Sequence, residues 1–303
     1  MSLALGVDRR HVAGSAFALI AASFYGCVPN FARLAFNQGV PAIETVLLRT
    51  SAIAVVLAMA SAISGASFHV PRAAWKSFGV QALATFIVSA SYLASVQFIP
   101  VGLAVIIFFA FPVIVVVASP LVEGITPSWP RIGVAMLAFL GLGIAVGPGF
   151  NNLDLRGVFL AAAAALGCAL QFFSGRSLGQ YLQPAVFGSL VHLAIWPLVL
   201  AVALYAGSGQ LQVTSGAASW LGLGFAGAVC LVYVGGYFFH MSSLKAAPAS
   251  VVAPYFNWEP ILTTIISGFL LGEKLFLNQY GGGALVLAAL VLAGFIHDKK
   301  LEA

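Results

Sequence analysis

Long apolar runs alternate along this chain with short clusters of charged residues, proline and glycine. A membrane-spanning helix needs about 20 predominantly apolar residues, because the hydrocarbon core of a bilayer is about 30 Å thick. Ten runs approach or reach this length, at residues 12–28, 43–63, 75–96, 101–122, 132–146, 158–173, 185–205, 217–241, 249–271 and 280–296. The pattern therefore predicts an all-α protein with ten transmembrane helices. The segments between them, such as QFIP and GFNNLD, are too short to form a soluble catalytic domain.

The composition indicates a membrane protein as well. Hydrophobic residues make up 61% of the 303 residues and charged residues only 7%, whereas an ordinary soluble domain is about 25% charged. We therefore expect an integral membrane protein surrounded by the lipid bilayer. Cys27, Cys168 and Cys230 all fall within predicted spans. A disulfide framework of the secreted kind has no place there, so we expect these cysteines to be small packing residues.

The distribution of basic residues predicts the orientation. If the amino terminus is cytoplasmic, the inside segments carry nine lysines and arginines and the outside segments carry three. Positive charge collects in the short cytoplasmic loops of membrane proteins, so we expect both termini to be cytoplasmic. The net charge of +5 follows from this bias and does not indicate a nucleic-acid partner.

The two halves of the chain share a pattern of prolines and basic residues. A shift of 143 residues places Pro41 on Pro184 and Arg33 on Arg176, and a shift of 148 residues places Pro112 on Pro260. We therefore predict two repeats, at residues 1–150 and 151–303, with five helices each. Because five is an odd number, the second repeat must enter the membrane from the opposite side, so the repeats are inverted. Inverted repeats can exchange conformations and open a central site to each side in turn, which is typical of transporters.

Two helices carry a resemblance to a known family. The segment KAAPASVVAPYFNWEPILTTIISGFLLGE resembles the ninth helix of the drug/metabolite transporter superfamily, in its ten-helix form with two EamA-type repeats. The segment QFIPVGLAVIIFFAFPVIVVVASPLVE resembles the matching helix of the first repeat. The resemblance covers essentially the whole chain, and it implies two inverted five-helix repeats around a central cavity. The chain is similar in particular to bacterial inner-membrane exporters of amino acids, including aromatic ones, so the resemblance also implies those substrates and that location.

An acidic residue, Glu259, lies near the middle of the ninth predicted span. A charge at this depth costs roughly 2.5–3.5 kcal/mol on insertion scales, so some role must offset the cost. Pro260 and its counterpart Pro112 lack an N–H donor, so we expect both helices to kink at the same depth and to frame a polar cavity. Glu259 would line this cavity and bind protons or the amino group of a substrate. In the alternative, structural role, a protonated Glu259 hydrogen-bonds to the backbone or to a neighbouring helix.

Other polar or aromatic side chains within the spans are further candidates for the cavity wall: Asn30, Tyr92, Gln171, Asn257 and Trp258. Tyr233, Tyr237 and His240 are spaced by four and three residues, so they share one helix face. We expect Tyr237 to act together with Glu259. His240 lies towards the cytoplasmic end of its helix, where we expect an interfacial or packing role.

These features predict a secondary transporter of small organic solutes that works by alternating access. The sequence has no P-loop, and its histidines lack metal-ligand spacing, so we expect no ATP-driven mechanism, no cofactor, no bound metal and no enzymatic activity. A monomer would be sufficient for this architecture. The alternative is a sugar-phosphate, nucleotide-sugar or drug exchanger of the same superfamily, and a channel is less favoured. A phosphate carrier should present several cations to its cavity, but only Arg49 and either Arg33 or Arg176 are available.

Overall fold

The computed structural model describes residues 9–95, 98–99, 101–124, 128–146, 154–211, 213, 218–270, 272 and 276–296. The regular structure of these residues is entirely helical. It comprises α1 (Arg9–Asn37), α2 (Ala42–Ile63), α3 (Trp75–Ser95), α4 (Val101–Phe108), α5 (Phe111–Val122), α6 (Trp129–Val146), α7 (Leu155–Leu178), α8 (Pro184–Ala206), α9 (Trp220–Ala246), α10 (Ala249–Val252), α11 (Trp258–Leu270) and α12 (Leu277–Phe295). Two short 3₁₀ helices, Arg72–Ala74 and Ala253–Asn257, precede α3 and α11.

The twelve α-helices of the described residues form ten membrane spans, so the predicted all-α class and span number are confirmed. The fourth span consists of α4 and α5, and the ninth consists of α10, the second 3₁₀ helix and α11. Within the described residues, six segments are long and apolar enough to cross a bilayer by themselves, and α6 and α12 are shorter apolar helices. Several helices are longer than predicted. In particular, α1 continues nine residues beyond the predicted end at residue 28, with Pro29 inside the helix.

The fourth and ninth spans are broken, where the sequence analysis expected kinked but continuous helices over 101–122 and 249–271. In the fourth span, a turn at Phe109 and Ala110 separates α4 from α5, and Pro112 is the second residue of α5. In the ninth span, the 3₁₀ helix Ala253–Asn257 interrupts the segment, and Pro260 is the third residue of α11. Proline has no backbone N–H, so it is tolerated in the first turn of a new helix but not in a helix interior. The helices therefore restart just before each proline.

The packing of the helices follows the two repeats. The most extensive contacts join α1 to α9, α3 to α7, α2 to α8 and α6 to α12. The shift between the repeats carries α1 onto α7 and α3 onto α9, so the first two pairs are equivalent to each other. In each of the other two pairs the two helices are repeat counterparts of each other, so the shift maps the pair onto itself. The bundle thus has a pseudo-two-fold axis, and the two inverted repeats meet around a common centre.

The ends of the helices alternate between the two faces of the membrane. We call the face at which α1 begins the near face and the face at which α1 ends the far face. Successive spans run in opposite directions, so α2, α4, α7, α9 and α12 begin at the far face. The largest apolar core cluster lies at the centre, where α1, α5, α7, α9 and the ninth span meet.

Candidate functional site

A cavity of about 280 Å³ lies between the two repeats, with walls from seven of the ten spans. Its lining residues lie in the far-face halves of the first three helices, from Tyr25 to Phe36 on α1, from Ala42 to Arg49 on α2 and from Val88 to Tyr92 on α3. The other spans contribute residues from their middle parts. The cavity therefore extends from the centre of the bundle towards the far face.

Aromatic rings form much of the inner wall. Phe111, Phe172 and Phe256 have ring centroids 5.1–6.5 Å apart and come from three different spans. The His240 ring lies 4.5 Å from that of Phe172 and 4.6 Å from that of Phe256. Centroid separations of 4.5–7 Å are typical of favourable aromatic pairs. The inner end of the cavity is thus a packed aromatic cluster.

Glu259 lines this cavity from the first turn of α11. Within the described part of the chain, no side-chain hydrogen bond or ion pair joins its carboxylate to another residue. Tyr25 and Tyr92 line the same cavity. The break at Ala253–Asn257 places Glu259 at the start of a helix, and an acidic residue in a first turn interacts favourably with the helix dipole. A partly buried carboxylate on the cavity lining is therefore available to a ligand.

Three further sequence candidates also line the cavity, namely Tyr92, Gln171 and Tyr237. Two of them use their polar groups to join helices. Gln171 Nε2 donates a hydrogen bond to Thr85 Oγ1 at 2.8 Å, and the Tyr237 hydroxyl accepts one from Gln81 Nε2 at 3.3 Å. Tyr237 and Glu259 thus share a cavity, but the Tyr237 hydroxyl is engaged by α3.

Asn30 and Trp258 are not among the residues that line the cavity. Asn30 Nδ2 donates to the Thr263 carbonyl at 3.1 Å, and Ser267 Oγ donates to Asn30 Oδ1 at 3.0 Å. Trp258 Nε1 donates to Ser23 Oγ at 3.0 Å. These bonds fasten the ninth span to α1. The longer α1 explains the difference, because Asn30 lies inside this helix and packs against α11 instead of ending the span.

Asn257 does not line the cavity either, although it is only two residues from Glu259. It is 1% exposed, and its Nδ2 donates to the Pro254 carbonyl at 2.9 Å. This bond lies within the 3₁₀ helix Ala253–Asn257. The side chain thus stabilises the break in the ninth span, a feature that the apolar pattern alone does not reveal.

His240, for which we expected an interfacial or packing role, packs in the interior of the bundle. It is 4% exposed, lines the cavity and packs against Phe172 and Phe256. Its Nε2 atom is buried without a hydrogen-bond partner among the described residues. The helix α9 extends to Ala246, so His240 lies almost two turns inside its end and faces the centre of the bundle.

Arg49 lines the cavity although the sequence analysis did not include it among the site residues. It lies on α2 with its guanidinium carbon 4.3 Å from the centroid of the Tyr233 ring. The signal was present in the sequence, because an arginine inside an apolar span is functional more often than not. Arg49 and Glu259 thus bring opposite charges to one cavity.

The near-face end of the cavity is closed by polar contacts between α3, α7 and α9. Gln81 of α3 accepts a hydrogen bond from Ser174 Oγ at 2.5 Å and donates to Tyr237. Below this layer, Arg176 Nη1 donates to the carbonyls of Leu244 and Lys245 at 2.9 and 2.8 Å. These carbonyls belong to the last turn of α9, where cationic side chains bind favourably.

A second closure joins the two broken spans at the near face. Glu123, which follows α5, accepts a hydrogen bond from the Ala249 N–H at 2.9 Å at the start of α10. The Ser250 N–H lies 3.5 Å from its other carboxylate oxygen. The cavity is therefore closed towards the near face and extends towards the far face.

Comparison with known proteins agrees with this architecture. The sequence profile of the EamA-like transporter family matches residues 12–147 and again residues 155–295. A solved structure described as "Crystal structure of protein" has a TM-score of 0.79 and 14% identity, over 92% of this chain and 96% of that chain. Identity this low shows a common fold only. The search of curated proteins found no match. Because the profile covers most of the chain, once in each half, this chain belongs to the EamA-like transporter family of the drug/metabolite transporter superfamily.

Proposed function

We propose that this protein is a secondary transporter that exports amino acids and related small metabolites across the inner membrane of a bacterium. The observation that carries the proposal is the central cavity, whose described lining includes the carboxylate of Glu259 and which is closed at the near face and extends towards the far face. A site that is open to one side at a time is what alternating access between two inverted repeats requires. The family consists of transporters, so the substrate is what remains to be inferred.

The lining favours a small zwitterion with an apolar or aromatic side chain. The aromatic cluster offers apolar contact area, and Glu259 offers an acceptor for an ammonium group. A carrier of sugar phosphates needs several cations around its dianionic group, because phosphates bind best to clustered arginine and lysine. Among the described lining residues, Arg49 is the only lysine or arginine. The charge balance thus favours an amino acid over a phosphorylated sugar.

The expected orientation gives the transport cycle its direction. With both termini cytoplasmic, the near face is the cytoplasmic face, and the closed contacts of α7 with α9 separate the cavity from the cytoplasm. This conformation is then the outward-open state. Export would begin from the opposite state, in which α1 and α3 close the far face and the cavity opens at the near face.

Glu259 binds the substrate ammonium or a coupled proton in this proposal. The test is the uptake of labelled neutral and aromatic amino acids into proteoliposomes, with and without a proton gradient. We expect saturable uptake by the wild-type protein and a loss of about 10-fold or more in Glu259→Gln, since a hydrogen bond to a charged group contributes about 1.5–3 kcal/mol. Asp154→Asn is the matched control. This partly exposed acid lies outside the cavity lining and caps α7, and asparagine caps a helix equally well, so uptake by this variant should equal that of the wild type.

One result would overturn the proposal, and another would overturn the role of Glu259 in it. Saturable exchange of phosphorylated sugars without any uptake of amino acids would favour the alternative substrate class. Full amino-acid uptake by Glu259→Gln, with an unchanged response to the proton gradient, would leave amino-acid transport in place and remove Glu259 from it.

A further inference from the structure

Arg49 is held in the cavity in an unusual way, by an aromatic ring instead of a carboxylate. Its guanidinium carbon lies 4.3 Å from the Tyr233 ring centroid. Its Nε atom is buried and has no hydrogen-bond partner within the described part of the chain. Within the described residues no acidic group lies within ion-pair distance of Arg49. A cation within a membrane span that lacks a counter-ion carries a substantial desolvation cost, so a ligand is expected to supply the negative charge.

The surrounding rings fix the position of this cation. The Tyr233 hydroxyl lies 3.5 Å from His192 Nε2, and His192 Nδ1 lies 2.8 Å from the Gly188 carbonyl. The Tyr233 ring also contacts Tyr25, at a centroid distance of 5.8 Å. Tyr233 is thus held from α8 and from α1, and it presents a fixed ring face to Arg49.

The contact with Tyr233 is a cation–π contact, in which the guanidinium carbon lies over the ring. The five N–H donors of a guanidinium lie along the edge of its plane. This edge matches the two oxygens of a carboxylate and can bind them with two parallel hydrogen bonds. An arginine held in this way is therefore pre-organised for a planar anion and loses little side-chain entropy when that anion binds.

The acid of the same cavity does not neutralise Arg49. Glu259 comes from the ninth span and Arg49 from α2, and the two charges form no ion pair with each other. Both charges thus remain available to one solute. The repeat counterpart of Arg49 is His192, and that of Glu259 is Phe111. Among the described residues that line the cavity, the first repeat thus contributes one basic residue, Arg49, and the second repeat one acidic residue, Glu259.

We propose that Arg49, held over the Tyr233 ring, is the carboxylate-binding residue of the transport site. The inference rests on the proposed amino-acid substrate and adds the orientation in which that substrate binds. The carboxylate faces the first repeat at α2, and the ammonium group faces the second repeat at Glu259. An amino-acid amide or a decarboxylated amine would lose the Arg49 contact while keeping the other contacts.

The test compares an amino acid that the wild type transports, phenylalanine for example, with its carboxamide. We expect Arg49→Gln to reduce phenylalanine uptake by about 10- to 100-fold, because a site built to bind a polar group loses that much when the pair is broken. Uptake of the amide should change by less than about 3-fold, so the preference for the acid disappears. Arg49→Lys should retain part of the preference, since lysine keeps the charge but not the paired donors. Arg33→Gln is the matched control, as Arg33 is exposed and outside the cavity lining.

A second measurement does not depend on transport. A single cysteine at Val46, three residues before Arg49 and on the cavity wall, reports occupancy by its rate of thiol modification. We expect 3-phenylpropionate to slow this rate in the Arg49 protein and not in Arg49→Gln, and we expect the uncharged 3-phenylpropionamide to have no effect in either.

The outcomes separate the two proposals. Equal loss of acid and amide uptake in Arg49→Gln, or equal protection by phenylpropionate with and without Arg49, would overturn the carboxylate site. If the wild type takes up no amino acid but phenylpropionate protects Val46→Cys only when Arg49 is present, the anion site is retained and the amino-acid substrate is rejected.

Discussion

The two ends of the central cavity are equivalent by sequence repeat but different in structure. At the near end, α7 packs against α9, whereas the equivalent helices α1 and α3 make no comparable contact at the far end among the described residues. Two glycines permit the near-end contact. A Cβ on Gly175 would lie 2.9 Å from Leu244 Cδ1, and one on Gly179 would lie 3.2 Å from the Lys245 Cα. Their counterparts Ala32 and Phe36 line the open cavity instead.

The polar contacts at the two ends of the cavity differ as well. Arg176 binds two carbonyls at the end of α9, but its counterpart Arg33 is exposed. The closed end is thus built from a few identifiable contacts, each of modest energy. Because the two repeats share one helical framework, we expect the near-end contacts to decide which of the two states is populated. Weakening these contacts should shift the protein towards a state that is open at the near face.

The largest effect is expected at Gly175. Leucine at this position cannot fit against Leu244 and Met241, and overpacking of this kind costs about 1–3 kcal/mol, or a shift of roughly 5- to 100-fold between the two states. The readout uses one introduced cysteine per protein, with Cys27, Cys168 and Cys230 replaced by alanine. Val46→Cys, on the cavity lining, reports the far-face opening, and its counterpart Ser189→Cys, which lies outside that lining, reports a near-face opening. In Gly175→Leu we expect faster modification at residue 189 and slower modification at residue 46.

The matched control for this prediction is Ala32→Leu, the same substitution at the repeat counterpart. Ala32 faces the open cavity, so the larger side chain meets no packed helix there. We expect the ratio of the two modification rates to remain within about 3-fold of the original value. An equal shift in both variants would mean that the glycine contact does not hold the near end closed.

The sequence predicted the framework of the molecule better than the details of its site. The ten apolar runs and the recurring prolines are long-period patterns, and they are sufficient to predict ten spans and two inverted repeats. Glu259 was found because an acid in an apolar run is conspicuous. The position of Asn30 and Asn257 outside the cavity was not predictable, since it depends on the length of α1 and on the 3₁₀ helix in the ninth span. The same holds for Arg49, whose orientation depends on Tyr233 of a distant helix.

An intermediate effect is expected at Arg176. Arg176→Gln removes a charged donor from the Leu244 and Lys245 carbonyls and should weaken the closed near end by about 1 kcal/mol, or roughly 5-fold in the ratio of the two modification rates. The control is Arg33→Gln, since Arg33 is exposed at the far face. A larger shift in the Arg33 variant than in the Arg176 variant would contradict the assignment of the closing contact.

The smallest effect is a dependence of the near end on pH. Burial raises the pKa of Glu123 above its usual value, although the backbone N–H groups of Ala249 and Ser250 and the charge of Arg176 act in the opposite direction. An acid whose pKa is raised in the closed state becomes protonated in that state at a higher pH than it does when it is solvated. The closed near end is therefore favoured as the pH falls through this raised pKa, and this advantage is lost as the pH rises again.

The measurement is the rate of thiol modification at Ser189→Cys divided by the rate at Val46→Cys. This ratio cancels the intrinsic pH dependence of the thiol reaction. We expect the ratio to fall by a few-fold as the pH is lowered from neutral into the acid range. Glu123→Gln, which keeps the shape of the side chain but cannot titrate, should abolish this fall, and Asp154→Asn at the far face should not. A fall that persists in Glu123→Gln would mean that another group provides the pH dependence. In that case the contact between Glu123 and α10 would close the near end without sensing protons.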